Sequence, residues 1–193
     1  MNTLVIYAHP NPNSFNAAIK ETVQQTLTAK GHDVRVRDLY ELRFHPVLSS
    51  EDFVQFSQHQ IPDDIRIEQE HIAWADHIIF IYPTWWAGTP AILKGFIDRV
   101  FTNGFAFQYT ENGAEGLLKN KKAIIFQTTG QPKEFLELGN LPSAFQAVMN
   151  AGTLAFTGME VLDHTVFYSV PYVSDEERKQ MLEEVKQKVS CLA

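Results

Sequence analysis

The chain has 193 residues, 45% of them hydrophobic and 20% charged, and a formal net charge of -7. Those values fit one globular domain with a substantial core and argue against a disordered or repetitive architecture. The acidic balance, without any cluster of lysines and arginines, argues against nucleic acid or an anionic membrane as partner and leaves small molecules.

The apolar run Thr3 to Ala8 reads as a buried strand, and His9-Pro-Asn-Pro-Asn-Ser-Phe15 as a loop whose two prolines oppose helix. A helix follows, capped by Ser14 or Asn16, with Ile19, Val23 and Leu27 as its apolar stripe and Gly31 as its stop. Asp33 to Asp38 alternates Val34 and Val36 with charges, the pattern of an edge-side strand, and completes a βαβ unit. Leu39 to Gln60, with Pro46 and paired serines, is expected to be an irregular surface excursion of the kind that often carries function.

A helix from about Asp64 to Ala75 leads into Ile78 to Tyr82, a run of β-branched and aromatic residues that reads as a buried strand. The run stops at Pro83. After Thr84-Trp85-Trp86-Ala87-Gly88-Thr89, Pro90 stands where the first turn of a helix needs no backbone donor. Ile92, Leu93, Phe96, Ile97, Val100 and Phe101 then share one helix face, with Lys94 and Asp98 elsewhere and four apart. Asn103 to Leu118 forms a second excursion with a turn at Asn112-Gly113.

Lys122 to Thr128 is a fourth strand, followed by the loop Thr129-Gly130-Gln131-Pro132, an irregular stretch and a helix near Pro142 to Ala155. Glu160 to Tyr168 is a fifth strand. The last helix starts at a capping box, Ser174 with Glu177, and lays Leu182, Val185, Val189 and Leu192 along one side. The single cysteine, Cys191, permits no intrachain disulfide and suits a reducing compartment. With no basic leader and no apolar run of membrane-spanning length, a cytoplasmic location without membrane insertion is expected.

Strand and helix alternate throughout, so the expected fold is α/β: five parallel strands in the order 2-1-3-4-5 with helices on both faces, over a single domain of residues 1–193. In that order the chain reverses direction across the sheet between strands one and three, and ligands bind beyond the carboxyl ends of those strands. Three loops become neighbours there. The first presents Ser14, Phe15 and Asn16 at a helix start, where free N–H groups and the helix dipole favour an anion such as phosphate, with His9 beside them. The second presents adjacent Trp85 and Trp86 as a wall for a planar ligand, with the backbone of Thr84 to Ala87 free to meet its polar edges. The third, Thr128-Thr129-Gly130, offers hydroxyls and a glycine that admits close backbone approach. No metal-ligand spacing appears among the seven histidines, and there is neither a P-loop nor a Gly-x-Ser-x-Gly elbow.

YAHPNPNSFN at Tyr7 to Asn16, YPTWWAGTPAILKGFIDRVF at Tyr82 to Phe101 and TTG at Thr128 to Gly130 together resemble the NAD(P)H:quinone oxidoreductases of flavodoxin-like fold, with similarity running nearly end to end. The resemblance implies a flavin, its phosphates against His9, Ser14, Phe15 and Asn16 and its ring against Pro83, Thr84, Trp85, Trp86 and Ala87. Thr128, Thr129 and Gly130 would meet the pyrimidine side. It also implies a homodimer in which aromatic residues of the FAFQY segment, Phe107 and Tyr109, join Trp86 at the partner's reaction site. The implied activity is two-electron reduction of quinone-type acceptors by NAD(P)H, donor and acceptor using one pocket in turn.

The sequence departs from the family pattern in two places. The best-known members follow Thr-Thr-Gly with a second glycine and then a tyrosine and a histidine that relay a proton. Here Gln131-Pro132-Lys133-Glu134-Phe135 follows, and no histidine occurs until His164. The Ser49 to Asp64 excursion is also shorter than in the FAD-binding animal enzymes, which inclines the cofactor toward FMN and leaves FAD open. The rival functional reading is a non-catalytic flavoprotein, either a one-electron carrier or an ancillary regulator of a potassium-efflux system.

Overall fold

The computed structural model describes residues 1–192. The elements run β1 (Asn2–Tyr7), α1 (Phe15–Ala29), β2 (Asp33–Asp38), α2 (Ser50–Ser57), α3 (Asp63–Trp74), β3 (His77–Pro83), α4 (Ala91–Val100), β4 (Phe107–Thr110), β5 (Gly113–Gly116), β6 (Lys122–Thr128), α5 (Lys133–Leu138), α6 (Leu141–Gln146), a π-helical segment (Ala147–Ala155), β7 (Glu160–Phe167) and α7 (Asp175–Ser190). Five strands form one parallel sheet in the order β2-β1-β3-β6-β7, while β4 and β5 pair antiparallel apart from it. With the small hairpin set aside, this is the expected 2-1-3-4-5 order, and the fold is flavodoxin-like.

Side chains alternate across a strand, so each strand feeds two cores. Leu4, Ile6, Ile78, Phe80 and Tyr82 pack against α3 and α4 through Ile65, Ile72, Leu93, Phe96 and Val100. Val5, Tyr7, Ile79, Ile81 and Phe126 pack against α1 and α7 through Ile19, Val23, Leu27, Val185 and Val189. All seven residues of β3 are buried, and each large apolar side chain there contributes on the order of 2 kcal/mol relative to exposure. That burial anchors the loop leaving Pro83. β2, at the sheet's edge, buries Val34 and Val36 only partly, as its alternation implied.

Several expectations need correction. The Leu39 to Gln60 excursion contains α2, started by a capping box in which Ser49 Oγ accepts from the Asp52 N–H (3.2 Å) and Asp52 Oδ2 accepts from the Ser49 N–H (3.1 Å). The Asn103 to Leu118 excursion contains the β4–β5 hairpin, and the irregular stretch after Pro132 contains α5. The expected helix near Pro142 to Ala155 is a short α-helix that widens at Ala147 into π-geometry, where Thr153 Oγ1 donates to the Val148 carbonyl five residues back (2.9 Å).

Two contacts clamp the first excursion onto α4. The buried Arg99 guanidinium bonds both Asp52 oxygens at 2.9 Å, Asp64 Oδ2 at 2.5 Å and the His45 carbonyl at 3.0 Å. Gly95 meets Pro46 so closely that a Cβ on the glycine would lie 2.0 Å from the Pro46 carbonyl oxygen.

Candidate functional site at the carboxyl rim of the sheet

β1 and β3 are neighbours, but the helices that follow them pack on opposite faces of the sheet, α1 in one core and α4 in the other. A cleft of about 690 Å³ opens at that divergence. Ten residues expected from the three loops line it: His9, Ser14, Phe15, Asn16, Pro83, Thr84, Trp85, Thr128, Thr129 and Gly130.

In the first loop Ser14 is the N-cap, its Oγ accepting from the Ala17 N–H at 3.1 Å. Phe15 and Asn16 open α1 and have no intrahelical acceptor for their N–H groups. Asn16 is therefore not a cap. Its buried side chain reaches across the cleft floor, Nδ2 donating to Thr128 Oγ1 at 2.8 Å, while Oδ1 is buried without a partner. His9 Nδ1 accepts from the Asn11 N–H at 3.0 Å, so the neutral ring keeps its proton on Nε2. Burial lowers the His9 pKa and favours that neutral donor form, which can hydrogen-bond an anion without carrying charge.

The second loop is a two-residue turn. Trp85 and Gly88 exchange both backbone hydrogen bonds at 3.0 Å, with Trp86 (φ 51) and Ala87 (φ 56) left-handed between them. Non-glycine residues there cost roughly 1–2 kcal/mol each, so the turn is strained. Trp85 stands 6.1 Å from the His9 ring and walls the cleft. The turn directs its other residues away: Trp86 is fully exposed outside the cleft, and Ala87 lines a cavity of about 70 Å³ with Tyr82, Val148 and Met149. The expected double-tryptophan wall is thus a single tryptophan within one chain.

The third loop is tied back on both sides. The Thr84 N–H donates to the Thr128 carbonyl at 2.7 Å, and the Thr129 N–H to the Phe167 carbonyl at 2.8 Å. An added Cβ on Gly130 would meet only Pro171, at 3.8 Å, so no neighbour requires glycine there. Phe107 and Tyr109 do not line the cleft. Phe107 packs on Phe156 (5.4 Å) and Tyr109 (5.6 Å) and borders a separate cavity of about 710 Å³ with Phe53, Phe56 and Phe105, while Tyr109 is largely exposed.

Arg178, outside the three loops expected from the sequence, also lines the cleft. Its guanidinium is held by the Val170 (3.0 Å) and Val173 (2.7 Å) carbonyls and by Asp175 Oδ1 (2.6 Å). The available signal was its place four residues after the N-cap Ser174, in the first turn of a helix that begins at the same rim.

A family profile described as a flavodoxin-like fold matches residues 1–189. An uncharacterized NAD(P)H oxidoreductase from Haemophilus influenzae is 41% identical over 99% of this chain and 95% of its own length. NAD(P)H dehydrogenase [quinone] 1 from Cavia porcellus is 33% identical over 93% of this chain and 72% of its own. This chain belongs to the flavodoxin-like NAD(P)H:quinone oxidoreductase family. The solved structure of the NAD(P)H:quinone oxidoreductase from Methanothermobacter marburgensis superposes on this family member with a TM-score of 0.91, at 29% identity over 100% and 99% of the two chains. Among the described residues of this oxidoreductase-family chain, no helix is long and apolar enough to cross a membrane.

Proposed function

We propose that the chain is a flavin-dependent oxidoreductase that passes two electrons from NAD(P)H to quinones or related acceptors, the two substrates using one cleft in turn. The observation that carries this reading is the convergence of ten residues from three loops on one open cleft at the point where α1 and α4 part.

The residues fit a flavin. A helix N-terminus with unpaired N–H groups, the His9 Nε2–H and the Arg178 guanidinium suit phosphate oxygens. The buried, partnerless Asn16 Oδ1 is an acceptor with nothing to accept from within the chain, which suits a ligand donor. Trp85, Thr84 and Pro83 provide a flat side, and Thr129 and Gly130 a polar edge. When bound, a flavin supplies two-electron hydride chemistry that amino-acid side chains do not. The chain's own part is to hold the ring's polar edges with preorganised donors, which stabilise negative charge as it develops. FMN is the favoured form, with FAD as the alternative.

The exposure of Trp86 and Tyr109 and the partial exposure of Phe107 support a homodimer in which these aromatics face the cleft of the other copy. The lone Cys191 is compatible with the reducing cytoplasm. The test is the absorption spectrum of freshly purified protein with chromatographic identification of released flavin, followed by steady-state kinetics with NAD(P)H and a benzoquinone. Flavin bands near stoichiometry and parallel double-reciprocal plots are expected. A colourless protein that takes up neither flavin overturns the reading.

A further inference from the structure

A chain of hydrogen bonds runs beneath the strained turn and ends at the cleft. Thr84 Oγ1 accepts from Gln127 Nε2 at 2.7 Å. The same buried amide's Oε1 accepts from the Tyr82 hydroxyl at 3.3 Å and lies 2.9 Å from His164 Nε2. On its other side His164 Nδ1 is 2.8 Å from Asn150 Oδ1, in the π-helical segment, so that both ring nitrogens face an amide oxygen. The path crosses β7, β6 and the loop after β3. Nothing in the reading of the cleft uses it.

The direction of the bonds follows from the ring. Burial pushes the His164 pKa down to about 4, so near neutral pH the imidazole carries one proton. The neighbouring Asp163 does not reverse this, because its carboxylate is taken up by Lys188 Nζ (2.7 Å) and Thr165 Oγ1 (2.5 Å). With Gln127 Nε2 committed to Thr84, its Oε1 must accept, which places the His164 proton on Nε2. A neutral ring cannot donate to both oxygens, so His164 Nδ1 accepts and the Asn150 amide, whose Oδ1 is drawn toward it, must reverse to present its NH2. At the far end Thr84 Oγ1, already accepting from Gln127, has its hydroxyl hydrogen left to donate, and Thr84 lines the cleft.

We propose that His164 is a positioning residue for this site: through Gln127 it fixes the Thr84 hydroxyl as a hydrogen-bond donor aimed at an acceptor, a carbonyl oxygen or imine nitrogen, on the edge of the bound planar ligand. The acceptor's identity rests on the flavin reading; the orientation of the Gln127 amide does not. Without the His164 proton only the longer Tyr82 bond of 3.3 Å holds the amide, and that hydroxyl can rotate to accept; in the reversed amide Thr84 would donate inward, and the cleft would receive an oxygen lone pair instead of a donor.

The experiment compares wild type, His164→Leu, His164→Gln, Thr84→Val and the Leu/Val double variant. For each, the dissociation constant of FMN is measured by fluorescence quenching, and the ring nitrogens of His164 are read by 15N NMR on ligand-free wild-type protein at pH 7. His164→Leu and Thr84→Val should each weaken FMN roughly five- to tenfold, the size of one neutral hydrogen bond, and the double variant should be no weaker than either single one. His164→Gln, which can still donate to Gln127, should recover most of the loss. Additive losses in the double variant, or a His164 proton found on Nδ1, overturn the positioning role. Failure of the wild type to bind any flavin overturns the cofactor reading instead, and the NMR result still decides the orientation.

Discussion

Asn16 Nδ2 donates to Thr128 Oγ1 across 2.8 Å, joining the start of α1 to the end of β6 over 112 residues of sequence at the cleft floor. Thr128→Val keeps the shape but leaves a buried amide hydrogen without an acceptor. The expected cost is about 1–2 kcal/mol, or a few degrees in melting temperature for a domain of this size. Urea unfolding checks it, and an unchanged midpoint would mean that the amide finds another partner.

Trp86 is fully exposed, so truncating it removes no intrachain packing. Trp86→Ala is expected to change stability by less than about 0.5 kcal/mol while weakening flavin retention. Thermal melts alongside quantified flavin content separate the two effects; a large stability loss with intact retention would assign the indole to packing.

Ala87, at φ 56, holds a conformation that suits glycine. Ala87→Gly trades the steric cost of the left-handed Cβ for extra entropy in the unfolded chain, and the first is larger. A net gain of about 0.5–1 kcal/mol is expected in urea unfolding.

Arg99 engages both oxygens of Asp52 inside the protein. Arg99→Met strands that carboxylate and should cost roughly 3 kcal/mol by denaturant titration. Hydrogen bonding from Arg99 holds the Asp52 pKa below its ordinary value. The stabilisation is therefore present above the ordinary carboxylate range and is lost as pH falls through the lowered one, and the variant should lose that acid-side dependence.

His164, His77 and His71 are all held below the ordinary histidine pKa by burial, His164 at about 4. Between there and about 6.5 the unfolded chain binds more protons than the folded one, so stability should be full above about pH 6.5 and decline below it. Each group contributes up to about 1.4 kcal/mol per pH unit in its window. Urea midpoints from pH 7.5 to 4.5 should show the decline, with a shallower slope in His164→Gln.

The sheet was legible because its strands are almost uninterrupted apolar runs, Ile78 to Tyr82 most of all, and the 2-1-3-4-5 order then brought His9 to Asn16, Pro83 to Trp85 and Thr128 to Gly130 to one rim. α2 escaped notice because its capping box closes with Asp52 in place of the usual Glu or Gln. The π-helical widening at Ala147 leaves no mark in a hydrophobic period, and the outward set of Trp86 follows from backbone angles that two non-glycine residues do not announce. Arg178 and the Gln127–His164 contact depend on pairings between distant strands and loops. For Gln127 the clue was local: a polar amide follows the buried apolar run Ala123 to Phe126.

The meeting of Gly95 with Pro46 brings the main chain of α4 directly against that of the first excursion. Position 95 therefore admits no other amino acid unless α4 and the first excursion separate. The spacing of α4 from that excursion is therefore set by the backbone and by the proline ring, and a side chain introduced at 95 would be read out first as lost stability.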